Sequence, residues 1–152
     1  GMSFIDMAYL KKSDLKNGII TYRRRKTGQQ LTVKWEKCME DIIAKYGENT
    51  AIRYLLPIIT NPCSDERTQY RNAICRINVA LKEVAGLAGL NIPLTMHVAR
   101  HCWASVAKSK NIPLSVISEG MGHDSEETTR IYLASLDTSV VDKANSLILK
   151  DF

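Results

Sequence analysis

Four polar residues between positions 97 and 132 have types and an order that suit chemistry on a phosphate group. His97 and Arg100 come first and are three residues apart, so on a helix they share one face. At the first turn of that helix the two side chains can converge on one anion, which the positive end of the helix dipole also attracts. By itself this spacing is common, and it is equally typical of a solvated basic helix end.

A second histidine and a tyrosine follow at His123 and Tyr132. Gly120 and Gly122 beside His123 predict a tight connection between two helices, which would hold the histidine at a helix start. Tyr132 lies in the next predicted helix, where a tyrosine ordinarily packs. Each feature alone is typical of ordinary structure. The ordered combination of H-x-x-R, then Gly-His, then Tyr is rare, and it favours a shared site.

A tyrosine and an arginine together indicate nucleophilic attack on a phosphodiester. A phenol, with a pKa of about 10, is a poor nucleophile until its proton is removed. Attack puts negative charge on the non-bridging phosphate oxygens, which an arginine binds in bidentate fashion while it stays charged. We therefore expect Arg100 to stabilise that charge. Either His97 or His123 could take the phenol proton or donate a hydrogen bond to the phosphate.

The elements that must position these residues are mainly helical. Hydrophobic periodicity, caps and turns predict helices at residues 3–10, 36–45, 65–85, 96–110 and 113–122, then one that starts after Asp124 or Ser125 and carries Tyr132, and a last one at 138–149. Two strands are predicted at 19–24 and 30–35, with a hairpin turn between them that needs the permissive backbone of Gly28. The longest helix is expected to bury one stripe, formed by Tyr70, Ile74, Ile77, Leu81 and Val84. The fold class is mainly α with a small antiparallel β-hairpin or sheet, that is, α+β.

Length and composition bound the class of protein. With 152 residues, 45% hydrophobic and 24% charged, the chain suits one globular domain. No apolar run approaches the roughly 20 residues of a membrane helix, and no signal-peptide pattern is present, so we expect a cytoplasmic protein. A net charge of +5 favours a polyanionic partner, though weakly. The four cysteines lack metal-ligand spacing and are interpreted as small structural residues, so no metal site is predicted.

The sequence resembles the tyrosine recombinase, or phage integrase, family. The resemblance rests on His97-Val98-Ala99-Arg100 followed by His101, on Met121-Gly122-His123, on Thr129-Arg130-Ile131-Tyr132, and on a hairpin lysine in Arg25-Lys26-Thr27-Gly28. It covers nearly the whole chain. It implies the catalytic-domain fold of that family, with no requirement for ATP, a metal or another cofactor.

The resemblance also implies a role for each matching residue. Tyr132 is the nucleophile and Arg100 a phosphate clamp, while His97 is the candidate base. His123 is the candidate phosphate ligand, and Lys26 protonates the departing 5′ oxygen. The implied product is a 3′-phosphotyrosyl link, which a second DNA 5′-hydroxyl then attacks.

One element of the family pattern is missing. The family carries its first arginine in a G-L-R-x-S-[DE] segment, and the matching stretch from Gly1 to Asp6 has Ser3 at that position. A serine cannot replace a guanidinium charge. Three explanations stay open: an arginine before Gly1, an arginine of the basic run Arg23-Arg24-Arg25, or an impaired enzyme. The same run, beside Lys26, is a candidate for DNA phosphate contact.

For the whole protein the resemblance implies a larger assembly. Residues 1–152 are expected to be the carboxyl-terminal catalytic domain, truncated at its amino end and without the amino-terminal DNA-binding domain. The implied partners are double-stranded DNA, three further copies in a homotetramer on two DNA sites, and accessory DNA-bending proteins, in the nucleoid. The helix at 138–149 is a candidate for exchange between subunits. The alternative is a non-catalytic DNA-binding regulator that keeps the fold.

Overall fold

The computed structural model describes residues 1–46 and 52–134, and its elements follow in simple order. After the short helix α1 (Phe4–Ala8) and a 3-10 turn come the strands β1 (Leu15–Lys16), β2 (Ile19–Arg23) and β3 (Gln30–Lys34). The helices that follow are α2 (Lys37–Ala44), α3 (Glu66–Leu87), α4 (Met96–Ser109), α5 (Leu114–Met121) and α6 (Glu126–Ala134). The α+β class is confirmed, and each predicted helix or strand among the described residues begins and ends within two residues of its expected bounds.

The three strands form one antiparallel sheet in the order β1-β2-β3. Ile20 and Tyr22 of β2 are buried together with Leu31 of β3, because alternate side chains of a strand point to the same face. The predicted hairpin turn is confirmed, with Gly28 at a φ of 74°. The strand β1 was not predicted, since two residues are too few to show an alternating pattern.

Local signals fix the helices around the candidate residues. The Thr95 hydroxyl caps α4 by accepting a hydrogen bond of 3.2 Å from the Val98 N–H. The Ser125 hydroxyl accepts from the Thr128 N–H at 3.3 Å, so Ser125 rather than Asp124 caps α6. The helices α4, α5 and α6 then share a core made of four side chains: Ala104, Ile117, Met121 and Leu133. This core sets the spacing of the motif-bearing helix ends.

Two packing predictions are wrong. Val84, expected in the buried stripe of α3, is 49% exposed, and the buried residues of that helix are Ala73 and Ala85. All four cysteines are exposed, so they do not fill the core as small apolar residues. The predicted helix at 138–149 lies outside the described residues. Within 1–46 and 52–134, no helix is both long and apolar enough to cross a membrane.

Candidate active site

Arg100 lies buried at the beginning of α4 and faces the end of α5. Its side chain is 8% exposed, and its Nη2 donates a hydrogen bond of 2.5 Å to the Met121 carbonyl. Its Nη1 donates to the carbonyl of Gly1. Burial lowers the pKa of Arg100, as does the neighbouring charge of Arg24. Two backbone carbonyls therefore hold the guanidinium in one orientation beside a second guanidinium.

That second guanidinium belongs to Arg24, the residue directly after β2. Arg24 is 7% exposed because it continues the inward-facing series of Ile20 and Tyr22. One of its Nη atoms donates a hydrogen bond to the Gly122 carbonyl, and its buried Nε has no hydrogen-bond partner among the described residues. A buried guanidinium with an unused donor is well suited to bind an anionic oxygen.

The neighbours of Arg24 in the basic run point elsewhere. Arg23 and Arg25 are exposed. Arg23 donates a hydrogen bond of 3.2 Å to the Gly28 carbonyl, and the Arg25 guanidinium lies 3.8 Å above the ring centre of Tyr9. The structure thus separates one inward arginine from two on the surface of the hairpin.

Gly122 lets the hairpin approach the helices. Its φ of 61° is in the left-handed region, where a side chain is disfavoured. A Cβ atom there would lie 2.9 Å from Arg24 Cδ and 2.9 Å from Leu31 Cδ1. The absence of a side chain at this position allows β2, β3 and the α5–α6 turn to meet.

His123 follows that glycine and is anchored from α6. Its Nδ1 lies 2.8 Å from the hydroxyl oxygen of Thr129, which is fully buried. Burial lowers the pKa of His123, and the charges of Arg100, Arg24 and Lys26 lower it further. His123 is therefore neutral at pH 7, and Thr129 restrains its ring. Because the charge of Lys26 contributes to the lowered pKa of His123, the exposed hairpin turn acts electrostatically on the site.

Tyr132 stands among three histidine rings. The ring centres of His123 and His97 lie 5.6 and 6.0 Å from that of Tyr132, both in edge-to-face geometry. The ring of His101 is stacked on it at 3.8 Å with an interplanar angle of 1°. Burial raises the pKa of Tyr132, and the charges of Arg100 and Arg24 act in the opposite direction. The phenol is thus protonated at neutral pH, and it could act as a nucleophile only after a base removes its proton.

Ser3 has an ordinary structural role. Its hydroxyl oxygen is the cap of α1 and lies 2.5 Å from the Asp6 carboxylate, which also accepts a hydrogen bond of 2.9 Å from the Arg25 N–H.

Three features of the site were not predicted from the sequence. The pattern left open which arginine of the basic run points inward, and it indicated no role for His101 or for the Thr129 hydroxyl. The alternation along β2 was a usable signal for Arg24, and the four-residue spacing of His97 and His101 was one for His101.

Comparison with known proteins shows the family and the fold of the chain. The model of the phage integrase family matches residues 3–139. No curated protein sequence matches the chain. Among solved structures, the chain is similar to XerA recombinase, with 22% identity, a TM-score of 0.67, and coverage of 95% of this chain and 52% of that one.

Two structures of the site-specific recombinase XerH are also similar. One is a post-cleavage complex with a palindromic difH substrate, with 20% identity, a TM-score of 0.63, and coverage of 94% of this chain and 43% of XerH. The other is a pre-cleavage complex with difH, with 20% identity, a TM-score of 0.60, and coverage of 94% and 44%. At these identities the likeness concerns the fold. The chain spans about half the length of these recombinases.

Proposed function

This chain belongs to the phage integrase family, and from that premise we propose that it is the catalytic domain of a site-specific recombinase acting on double-stranded DNA through Tyr132. The observation that carries the proposal is the convergence of a tyrosine, two buried arginines and three histidines at the meeting point of β2, α4, α5 and α6. Such a set offers a nucleophile, positive charge for a phosphate and proton acceptors together. The DNA complexes of XerH, which has the same fold, support DNA as the substrate.

The proposed reaction exchanges one phosphoester bond for another. The Tyr132 oxygen attacks the phosphorus, and its proton passes to His97. The bond between phosphorus and the 5′ oxygen breaks, and Lys26 gives that oxygen a proton. The resulting 3′-phosphotyrosyl bond breaks when the 5′-hydroxyl of another strand attacks its phosphorus, which releases Tyr132. Because each step exchanges one phosphoester bond for another, the cycle as proposed uses no ATP. The arginines supply the positive charge for the phosphate, so the proposed cycle includes no metal.

In this proposal the two arginines and His123 stabilise the negative charge that develops on the phosphate. The charge of Arg24 lowers the pKa of Arg100, and this repulsion between two positive charges costs free energy when no anion is present. A phosphate between them would remove that repulsion. We therefore assign to Arg24 the role of the arginine that Ser3 replaces, with His123 as the third phosphate ligand.

Arg24→Ala should slow strand cleavage about 100-fold at saturating DNA, because one preorganised donor to the phosphate is lost. Arg23→Ala is a matched control: it removes the same charge one residue away, from the surface. It should weaken DNA affinity in a salt-dependent manner and leave the rate at saturation within about threefold. Single-turnover cleavage of a nicked duplex measures both. Equal cleavage rates for the two variants would remove Arg24 from the site.

Lys26→Ala should slow cleavage of ordinary DNA, since the leaving 5′ oxygen then departs without a proton. A substrate with sulfur in place of that bridging oxygen should recover much of the rate, because a thiolate leaves without protonation. The ratio of the two rates is the measurement. An equal defect on both substrates would make Lys26 a phosphate ligand and not a proton donor.

The alternative function is a DNA-binding regulator that keeps the fold without the reaction. The presence of Ser3 in place of an arginine is the observation that favours it. The discriminating experiment incubates the intact protein with a duplex nicked close to its recombination site, so that the cleaved end diffuses away. A recombinase accumulates as a covalent protein–DNA adduct that survives denaturant. A regulator binds the same DNA and leaves no adduct.

The remainder of the assembly is proposed on the same basis. An amino-terminal DNA-binding domain would lie in the half of the recombinase length that this chain does not span. A homotetramer on two DNA sites, with accessory DNA-bending proteins, would then carry out strand exchange. Arg23 and Arg25, exposed on the hairpin, would contact the DNA backbone.

A further inference from the structure

His101 makes two contacts that join the nucleophile to its proposed base. Its ring is stacked on that of Tyr132, with ring centres 3.8 Å apart and nearly parallel planes. Its Nε2 lies 2.8 Å from the Nε2 of His97, one turn earlier on α4. The family resemblance assigns roles to His97 and Tyr132, whereas nothing so far accounts for the residue between them.

The stacking contact restricts the Tyr132 side chain in two ways. A parallel ring at this distance limits rotation about the Cβ–Cγ bond, which sets the ring plane, and it limits the swing about the Cα–Cβ bond, which sets the position of the phenol oxygen. The other two histidines meet Tyr132 edge-on from 5.6 and 6.0 Å, which leaves more freedom. Among the described residues around the phenol, His101 therefore makes the contact that best defines its plane.

The hydrogen bond between His101 and His97 restricts the side chain of His97. His97 is exposed, and an exposed histidine has several rotamers of similar energy. Its bond to His101 selects one of them. One of the two Nε2 atoms must donate and the other accept, so the two rings cannot both be protonated while the bond persists.

The protonation of His101 agrees with this arrangement. Burial lowers the pKa of His101, and the nearby charges of His97 and Arg100 lower it further. Its buried Nδ1 has no hydrogen-bond partner among the described residues. An unpartnered buried nitrogen costs less on a neutral ring than on a charged one, so the neutral form of His101 is favoured.

We propose that His101 is a positioning residue, which aligns the Tyr132 phenol through its ring face and His97 through its Nε2. The inference rests on the proposed function, because it concerns the geometry of the attack by Tyr132. His101 itself transfers no proton to the DNA. Its contribution is to hold these two side chains in a reactive arrangement, where small misplacements are costly in rate.

Three substitutions separate the two contacts. His101→Leu removes both, His101→Phe keeps a flat ring without the hydrogen bond, and His101→Gln keeps a hydrogen-bonding group without the ring. Ser105→Ala is the matched control on the same helix, since the Ser105 hydroxyl donates to the His101 carbonyl at 3.0 Å and its loss leaves the His101 ring in place. Each variant of the intact protein is assayed for adduct formation on the nicked duplex, for DNA affinity and for thermal melting.

His101→Leu is expected to slow adduct formation at saturating DNA about tenfold, with DNA affinity within about twofold of wild type. His101→Phe should recover the rate to within about threefold, and Ser105→Ala should match wild type. If the role of His101 were purely structural, His101→Leu and His101→Phe would both lower the melting temperature, and Phe would not restore the rate of adduct formation. If His101→Leu fails to fold, the comparison of Phe with Gln decides, and Phe should be faster by about threefold.

The outcomes distinguish this inference from the function on which it rests. No adduct with the wild-type protein would remove the proposed function and the inference with it. An active wild type, together with equal rates for His101→Leu and wild type, or for Phe and Gln, would overturn the positioning role alone.

Discussion

Tyr132→Phe is expected to abolish covalent attachment to DNA while DNA binding and folding are retained. Phenylalanine lacks the oxygen that attacks the phosphate, so no rate remains to be measured. The ring is kept, and with it the packing beside the α4–α5–α6 core and the stack on His101. Loss of the hydroxyl alone should therefore change the free energy of unfolding by no more than about 1 kcal/mol.

The measurement is denaturing electrophoresis of the protein with end-labelled nicked DNA, beside a gel shift for affinity. Tyr46→Phe is the matched control, because Tyr46 is exposed and lies outside the site. It should form the adduct at the wild-type rate. An adduct that persists in Tyr132→Phe would assign the nucleophile to another residue.

Arg100→Ala is expected to reduce the cleavage rate about 100- to 1000-fold, the usual cost of losing one preorganised donor to a developing negative charge. Arg100→Lys should lose less, because the charge remains although the bidentate geometry is lost. The same rate at saturating DNA is measured for both. Lys108→Ala, which removes an exposed charge at the far end of α4, is the control and should cleave normally.

The buried environment of Arg100 also predicts a modest change in stability. Alanine would leave the Met121 carbonyl without its hydrogen bond, at a cost of about 1–3 kcal/mol in the free energy of unfolding. The melting transition should therefore move down and stay cooperative. A complete loss of cooperative melting in Arg100→Ala would mean that Arg100 is mainly structural, and its catalytic role would be wrong.

Local signals explain which parts of the molecule could be predicted from sequence. The cap at Thr95 and the left-handed Gly122 depend on a few adjacent residues, so the helices that carry His97, Arg100 and Tyr132 were found with nearly correct ends. The order of the motifs likewise does not depend on tertiary structure. These features are the ones on which the assignment of the site rests.

Three features of the molecule depend on tertiary packing and could not be predicted from the sequence. Apolar periodicity indicated that Val84 of α3 is covered, but only the contacts of that helix with α1 and α4 determine which of its residues are buried. The stacking of His101 on Tyr132 joins two helices whose approach is set by the core between them. The choice of Arg24 over Arg23 and Arg25 follows from the alternation along β2 once the buried face of the sheet is known.

Mapping the attachment site of the DNA tests the central claim most directly. The covalent adduct of the intact protein is digested with nuclease and with trypsin, which cleaves after Arg130 and Lys143, and the peptides are analysed by mass spectrometry. The peptide from Ile131 to Lys143 contains Tyr132 as its single tyrosine. The account predicts that this peptide carries the residual nucleotide, joined through a phosphate to the tyrosine oxygen. A nucleotide on any other peptide, or an adduct without phosphotyrosine, would contradict it.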